Sequence, residues 1–387
     1  MIIKNGGETK GMLFIKKPYL QNPKVDSMTI MWETDNVSTS KVYLWEAYAP
    51  NIPANVYYSL YMPINQPKEF EGNIDNYHKV VILGLEPEKD YCYQVESIDS
   101  EETLLSEINV FRTAPVKGKG FKFAFTAETG GARQSENIVP IAEQIYQSHP
   151  DILIALGDVV WDGNNAMEWN ESFFHPYEKI LGTTPLFHCP GNHERHTELM
   201  NRLFAFPRYY SFEYADVHFI SLDSTYFAER TFNEDNSSDM KAFDTFNEED
   251  IQWKFLKKQL EDSKAIWKVV YFHYPPYSSA IFETTAMRRL CPLLEKYKVD
   301  VVFSAHTIHY ERSHPLINGE INPAGTRYIV VGGSGAYADW IRFKTNSVTA
   351  KIMAKPHFVQ VNVTPYSLEI QAIDSNGMLF DSCLINR

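Results

Sequence analysis

The chain has 387 residues, a hydrophobic content of 44%, a charged content of 22% and a formal net charge of −13. That length supplies a large buried core and two or three ordinary domains, and the composition is that of globular proteins. The acidic balance argues against nonspecific nucleic-acid binding, and no apolar run approaches the about 18 residues of a membrane-spanning helix. A small phosphorylated partner is compatible with this charge, because a bound metal ion would reverse the local field.

The N-terminus, Met1-Ile2-Ile3-Lys4-Asn5-Gly6-Gly7, lacks the apolar stretch of a secretory signal. The expectation is a cytoplasmic protein, or an extracellular one if a signal has been removed. Residues from about Phe14 read as all-β. Ser27-Met28-Thr29-Ile30-Met31-Trp32, Lys41-Val42-Tyr43-Leu44-Trp45 and Tyr91-Cys92-Tyr93-Gln94-Val95 alternate, with turn signals such as Gly84-Leu85-Glu86-Pro87 between them. About a hundred residues of short strands suggest a β-sandwich. A linker, Ala114-Pro115-Val116-Lys117-Gly118-Lys119-Gly120, follows.

From Phe121 the texture changes to alternating strands and helices, which favours a layered α/β domain. Strands are predicted at Phe121–Phe125, Ile152–Leu156, Val217–Leu222, Lys268–Phe272 and Asp300–Phe303. Helices are predicted at Glu136–Gln147, Glu249–Leu260 and Thr285–Tyr297. After Gly325 the chain returns to strand, at Arg327–Val331, Phe358–Val363, Leu368–Ile373 and Leu379–Leu384. The acidic stretch Thr231–Asp250 reads as a mobile surface insertion. Cys92, Cys189, Cys291 and Cys383 form no CxxC pair and read as buried thiols, with a disulfide as the other reading.

Four polar residues fall where strands end. Asp158 follows Ala155-Leu156-Gly157, Asn192 lies in Pro190-Gly191-Asn192-His193-Glu194, His273 ends Trp267–Phe272, and His306 ends Val299–Ala305. Each alone has an ordinary explanation: Asp158 as a turn or helix cap, His273 as a loop histidine. Together, in this order, they form a set of hard and borderline metal ligands that a core would not need. Ligands distant in sequence converge when they sit at the same sheet edge. Two-metal phosphoester hydrolysis needs such a set: a bridging carboxylate (Asp158), neutral ligands (Asn192, His273, His306) and a hydroxide on the metal as nucleophile. His193 is placed to reach the phosphoryl oxygen or protonate the leaving group. Tyr274, Tyr277 and Ser278 are expected to border the pocket. His78, His149, His175, His188, His218, His314 and His357 are assigned to surface or core packing. His196 is the one other histidine near the asparagine block.

These blocks resemble a purple-acid-phosphatase-like metallophosphoesterase of the calcineurin-like superfamily. Pro18-Tyr19-Leu20-Gln21 with Met28–Trp32 is similar to the start of that family's fibronectin-III-like N-terminal module. Gly157-Asp158, Gly191-Asn192-His193-Glu194, Val270-Tyr271-Phe272-His273, and His306 with Tyr310-Glu311-Arg312-Ser313 resemble its catalytic blocks. The resemblance implies an N-terminal all-β sandwich at residues 14–114. It also implies a four-layer α/β metallophosphoesterase domain at 121–387, a central β-sandwich flanked by helices. A dinuclear metal site would sit at the sheet ends.

The chain departs from that family at one ion. Glu128 stands where the family usually has aspartate, Trp161 where it has the tyrosine ligand, and Ile308 where it has a second histidine. The resemblance therefore implies a first ion left with Glu128 and Asp158 only, and His309 as a candidate replacement ligand. The second ion keeps Asp158, Asn192, His273 and His306. The ligand chemistry suits zinc, iron or manganese. The expectation is one tightly held ion and a second recruited from solution or missing. The family's purple colour comes from tyrosinate on ferric iron, so this chain should lack it. The leading reading is a divergent metal-dependent phosphoesterase acting on a small phosphorylated substrate. The rivals are a pseudo-phosphatase acting as a binding or scaffold protein, and a chain whose β module does the work. Oligomeric state is left open.

Overall fold

The computed structural model describes residues 11–48, 62–100, 102–130, 136–194, 197–232, 238–280, 285–338, 341–342 and 344–387. Strands β1 (Phe14–Gln21), β2 (Ser27–Ser38), β3 (Lys41–Tyr48), β4 (Met62–Glu71), β5 (Asp75–Leu83), β6 (Asp90–Ile98), β7 (Thr103–Leu105) and β8 (Asn109–Arg112) come first. Their alternation sorts side chains by face: in β5, His78, Val80 and Ile82 are inside, Lys79, Val81 and Leu83 outside. The sheet β4-β3-β6-β7, with β8 on β6, packs against β1-β2-β5. Leu20, Ile30, Trp32, Val42, Leu44, Tyr93, Val95 and Phe111 fill the space between them.

The remaining strands are β9 (Phe121–Thr126), β10 (Ile152–Ala155), β11 (Leu186–His188), β12 (Tyr210–Tyr214), β13 (Val217–Ser221), β14 (Ala228–Phe232), β15 (Ser238–Ala242), β16 (Trp267–Tyr271), β17 (Val301–Ser304), β18 (Tyr310–Ser313), β19 (Leu316–Ile317), β20 (Glu320–Ile321), β21 (Arg327–Val331), β22 (Thr349–Met353), β23 (His357–Val363), β24 (Ser367–Asp374) and β25 (Leu379–Asn386). Most of them, joined by β1, β2 and β5, build two facing sheets, β25-β24-β23-β9-β10-β11-β1-β2-β5 and β12-β13-β16-β17-β21-β18-β22, while β14–β15 and β19–β20 pair as separate two-stranded sheets. Phe123, Phe125, Ile154, Phe219, Val269, Phe303 and Val361 interdigitate between the sheets. Phe125 and Phe303 meet across this gap, with ring centroids 4.1 Å apart. Each such buried side chain contributes about 1.5–3 kcal/mol, and truncating Phe123 to alanine would cost about 3–5 kcal/mol.

Helices cover both outer faces, completing the four expected layers. Ile138–Ser148 turns Ile141, Ala142 and Ile145 onto Leu153, Ala155 and Phe358. Ile251–Asp262, capped by the Asp250 carboxylate on the amides of Gln252 and Trp253, covers the second sheet. The predicted helix Thr285–Tyr297 is broken. A 3-10 turn, Thr285–Leu290, hands over to an α-helix at Cys291–Lys296. Pro292 explains the break, because it has no amide hydrogen to continue the preceding turn and is tolerated in the first turn of a new helix. The stretch Thr231–Asp250 is also more structured than expected. Part of it pairs as the hairpin β14–β15, and Phe246 stacks on Phe227 at 4.3 Å; residues 233–237 lie outside the described residues.

One relationship was not visible in the pattern. Strand β1 belongs to the N-terminal module, yet it pairs in parallel with β11, Gln21 opposite Leu186. Side chains reinforce the join. Tyr19 Oη and Gln21 Nε2 each donate to the Leu203 carbonyl at 3.0 Å, and Tyr93 Oη donates to the Gly182 carbonyl at 2.8 Å. The four cysteines are free thiols, three buried and Cys383 half-buried.

Candidate metal centre

Strands β9, β10 and β11 run parallel in one sheet, and β13, β16, β17 and β21 in the other. The loops at their carboxyl ends gather at one edge. Glu128 follows β9, Asp158 follows β10, Asn192 follows β11, His273 follows β16 and His306 follows β17. Three of these residues hold left-handed backbone: Glu128 (φ 58°), Asp158 (φ 52°) and His306 (φ 65°). Such strain costs roughly 1–3 kcal/mol per residue and collects where function requires it. Gly157 (φ 87°) has no alternative, because a Cβ there would come within 2.5 Å of the Gly191 amide nitrogen and 2.9 Å of His273 Nδ1.

Asp158, His273 and His306 bring one ligand atom each within 4.8 Å of one another. Asp158 Oδ2 lies 3.1 Å from His273 Nε2, and His306 Nδ1 lies 3.3 Å from the same nitrogen. His273 Nδ1 donates to the Leu156 carbonyl at 2.8 Å, which fixes the tautomer and turns Nε2 to the centre. Asn192 contributes a telling atom: its side-chain oxygen is buried and has no hydrogen-bond partner. A buried orphan acceptor costs about 1–3 kcal/mol, which a bound cation would remove. Burial opposes charge on Asp158, but His273, then His193 and His306, hold its carboxyl well below the usual carboxylate range. Burial likewise pulls His273 down, and the Asp158 carboxylate more than offsets it, lifting the imidazole to about 10. A carboxylate that gathers positive charge in this way is suited to a cation. Asp158, His273 and His306 fit a single ion, and the adjoining loop carries the bare oxygen of Asn192.

The positions of the other ion do not fit. Glu128 comes near, with Oε1 3.8 Å from His273 Nδ1, but that oxygen accepts the His306 amide hydrogen at 2.6 Å. Trp161 is 50% exposed and its indole packs on the His193 ring, with centroids 4.4 Å apart and planes tilted by 31°. Ile308 has no ligand atom. His309 is not brought to the group either: it is fully buried and its Nε2 lies 3.0 Å from Glu311 Oε2. The reason is the backbone. His309 immediately precedes β18, within reach of Glu311, which Ser279 and Thr349 already fix there.

His193 is placed beside the centre. Its amide donates to Asp158 Oδ1 at 2.9 Å and its Nδ1 is 2.8 Å from the Trp161 carbonyl oxygen. That leaves Nε2 3.9 Å from Asp158 Oδ2. Tyr274 borders the site, its ring edge-on to His306 at 4.7 Å. Ser278 reaches Thr307 Oγ1 at 3.1 Å, in the loop that carries His306. Tyr277 points elsewhere, against Tyr328 at 4.9 Å. His196 lies outside the described residues.

The residue whose role the spacing did not reveal is Glu194. Its carboxylate accepts the amide hydrogens of Asp158 (3.0 Å), Val159 (2.8 Å) and Gly191 (2.7 Å). It thereby ties the Asp158 loop to the Asn192 loop. Burial first, then the Asp158 carboxylate, raises Glu194 to about 7. A cleft of about 730 Å³ opens at the opposite end of the strands, beside Lys122, Asp151 and Pro185, and contains none of the residues of the centre.

Two facing sheets with metal-suited residues on the loops at one edge define the metallophosphoesterase class. Residues 121–310 match the family described as calcineurin-like phosphoesterase, and residues 17–113 match the purple acid phosphatase N-terminal domain. The chain thus carries a calcineurin-like phosphoesterase domain preceded by a purple acid phosphatase N-terminal domain. Purple acid phosphatase 15 of Arabidopsis thaliana is 27% identical over 67% of this chain and 53% of its own length. Purple acid phosphatase 23 of the same plant is 27% identical over 67% and 62%. The chain thus spans between about half and two thirds of the length of these relatives. The purple acid phosphatase structure from yellow lupin (Lupinus luteus) seeds superposes with a TM-score of 0.78 at 19% identity, covering 96% of this chain and 74% of that one. That likeness shows the fold.

Proposed function

We propose that this chain hydrolyses phosphate esters of small molecules with one tightly held metal ion. Asp158, Asn192, His273 and His306 would hold that ion. The observation that carries the reading is the Asp158–His273–His306 cluster, adjoined by the loop that carries the bare Asn192 side-chain oxygen, whose next residue, His193, donates its amide to Asp158. Relatives named as phosphatases support it, among them a phosphoenolpyruvate phosphatase of Allium cepa, 25% identical over 65% of this chain and 53% of that protein. Zinc, iron and manganese all suit these ligands. When bound, the ion supplies Lewis acidity and a nucleophile active near neutral pH.

The chain's own residues do the rest. His273 is kept in one tautomer by the Leu156 carbonyl. Glu194 keeps the Asp158 and Asn192 loops in register. His193, anchored through Nδ1, directs Nε2 towards the reacting group and in its protonated form carries a proton to the leaving oxygen.

The test is metal per chain, measured by elemental analysis on protein purified without chelator, together with hydrolysis of 4-nitrophenyl phosphate. One ion per chain, lost along with turnover in Asp158→Asn, is the expected result. No ion after incubation with zinc, iron and manganese would overturn the reading and favour a pseudo-phosphatase that binds a partner.

A further inference from the structure

Trp161 occupies a position where the resemblance calls for a metal ligand, and it cannot be one: the indole nitrogen only donates. Its surroundings give it a different use. Half of the side chain is exposed, which is unusual for the largest apolar side chain unless it meets something. One face is already covered, because the indole lies on the His193 ring at a centroid distance of 4.4 Å. The exposure therefore belongs to the other face and the edge.

The ring is also held still. The amides of Trp161 and Asp162 donate to Glu168 Oε2 at 3.0 and 2.8 Å. The Trp161 carbonyl accepts from His193 Nδ1 at 2.8 Å. Backbone and ring are thus both anchored before any ligand arrives. A rigid, half-open indole loses little freedom on binding, which favours stacking with a second flat ring.

Position sets the ligand. His193 Nε2 is 3.9 Å from Asp158 Oδ2, and the indole adjoins the same imidazole. The indole therefore flanks the centre from beyond the His193 imidazole, with its open face and edge on the solvent side. A flat ring on the ester oxygen is the partner that a flat, anchored indole beside the centre favours.

We propose that Trp161 is the specificity determinant for the alcohol part of the substrate, selecting phosphate esters of aromatic alcohols over those of aliphatic alcohols. This rests on the centre binding a phosphoryl group, as in the function proposed above.

The test uses two ligands that cannot be hydrolysed, phenylphosphonate and methylphosphonate. Their dissociation constants are measured by calorimetry on zinc-loaded protein and its variants. The expected result is a preference for the phenyl compound of about tenfold, the scale of one aromatic contact. That preference is expected to vanish in Trp161→Ala and return in Trp161→Phe, which keeps a flat ring. Trp161→Ala retains the carbonyl that holds His193, so loss of preference is a loss of the ring. An unchanged preference in Trp161→Ala overturns the proposal, as does binding of neither compound. Turnover is not needed for this readout. A chain that hydrolyses no ester but shows the Trp161-dependent preference would sink the hydrolase and keep the platform. Turnover of 4-nitrophenyl phosphate with no Trp161-dependent preference would do the reverse.

Discussion

Glu194 stands behind Asp158 and holds its amide at 3.0 Å with an oxygen that also takes the Gly191 amide at 2.7 Å. One carboxylate therefore spaces two loops that carry ligands from neighbouring strands. Glu194→Ala would leave three buried amide hydrogens without acceptors, at about 1–3 kcal/mol each. The expected outcome is a loss of at least about 3 kcal/mol in urea unfolding and a fall in bound metal. Unfolding within about 0.5 kcal/mol of the parent would show that water replaces the carboxylate.

Asp158→Asn removes the charge that gathers the histidines while keeping the shape of the side chain. Metal content and hydrolysis should fall together, by at least about a hundredfold in turnover, the scale of losing a positioned charge. Unchanged turnover in this variant would refute the assignment of the centre.

His309 divides two accounts of the missing histidine. With Nε2 committed to Glu311, His309→Ala should leave metal stoichiometry as it is and lower stability by about 1–3 kcal/mol, as one donor to a buried carboxylate is lost. A variant that loses an ion would restore His309 as a ligand.

Iron-loaded protein should show no visible charge-transfer band, because Trp161 offers no phenolate. Absorption spectra before and after reduction test this directly; a purple band would require a tyrosine the centre does not present.

Acid should destabilise the fold above the carboxylate range. Burial, and to a lesser extent the charges of His309 and Lys355, lowers His357 to about 4, and its Nε2 is buried without a partner. Burial lowers His78 to about 4 as well. Both are neutral in the folded chain and take up a proton on unfolding near 6.5. Their contribution is complete above pH 6.5 and is lost as pH falls from there towards 4. For His357 alone this amounts to about 2 kcal/mol by pH 5. Unfolding free energies across that range should show the slope, and His357→Gln should flatten it.

The candidate centre was legible because Asp158, His273 and His306 each follow an apolar run, such runs become strands whose ends share an edge, and Asn192 stands in the distinctive block Pro190–Glu194. Asp158, Asn192, His273 and His306 carry this signal within a few residues. The join between β1 and β11 carries none, since Gln21 and Leu186 are far apart in sequence. Glu194 was seen only as part of a short block. Its three donors come from two loops, and their convergence is a fact of space rather than spacing. Pro292 was readable, and the expected unbroken helix overrode a breaker in plain view. The fate of Glu128 could not be read, because its competitor is the backbone amide of His306, and an amide has no letter in a sequence.

The shared strand has a consequence for anyone dissecting the molecule. Residues before the linker supply a side wall of the sheet that carries Glu128, Asp158 and Asn192. Deleting them would convert β11, three buried residues long, into a raw edge with unpaired amides and carbonyls. The Leu203 carbonyl would lose both of its donors in the same cut. The half that carries the candidate centre is thus not an excisable unit, and the two halves should melt in a calorimeter as one transition.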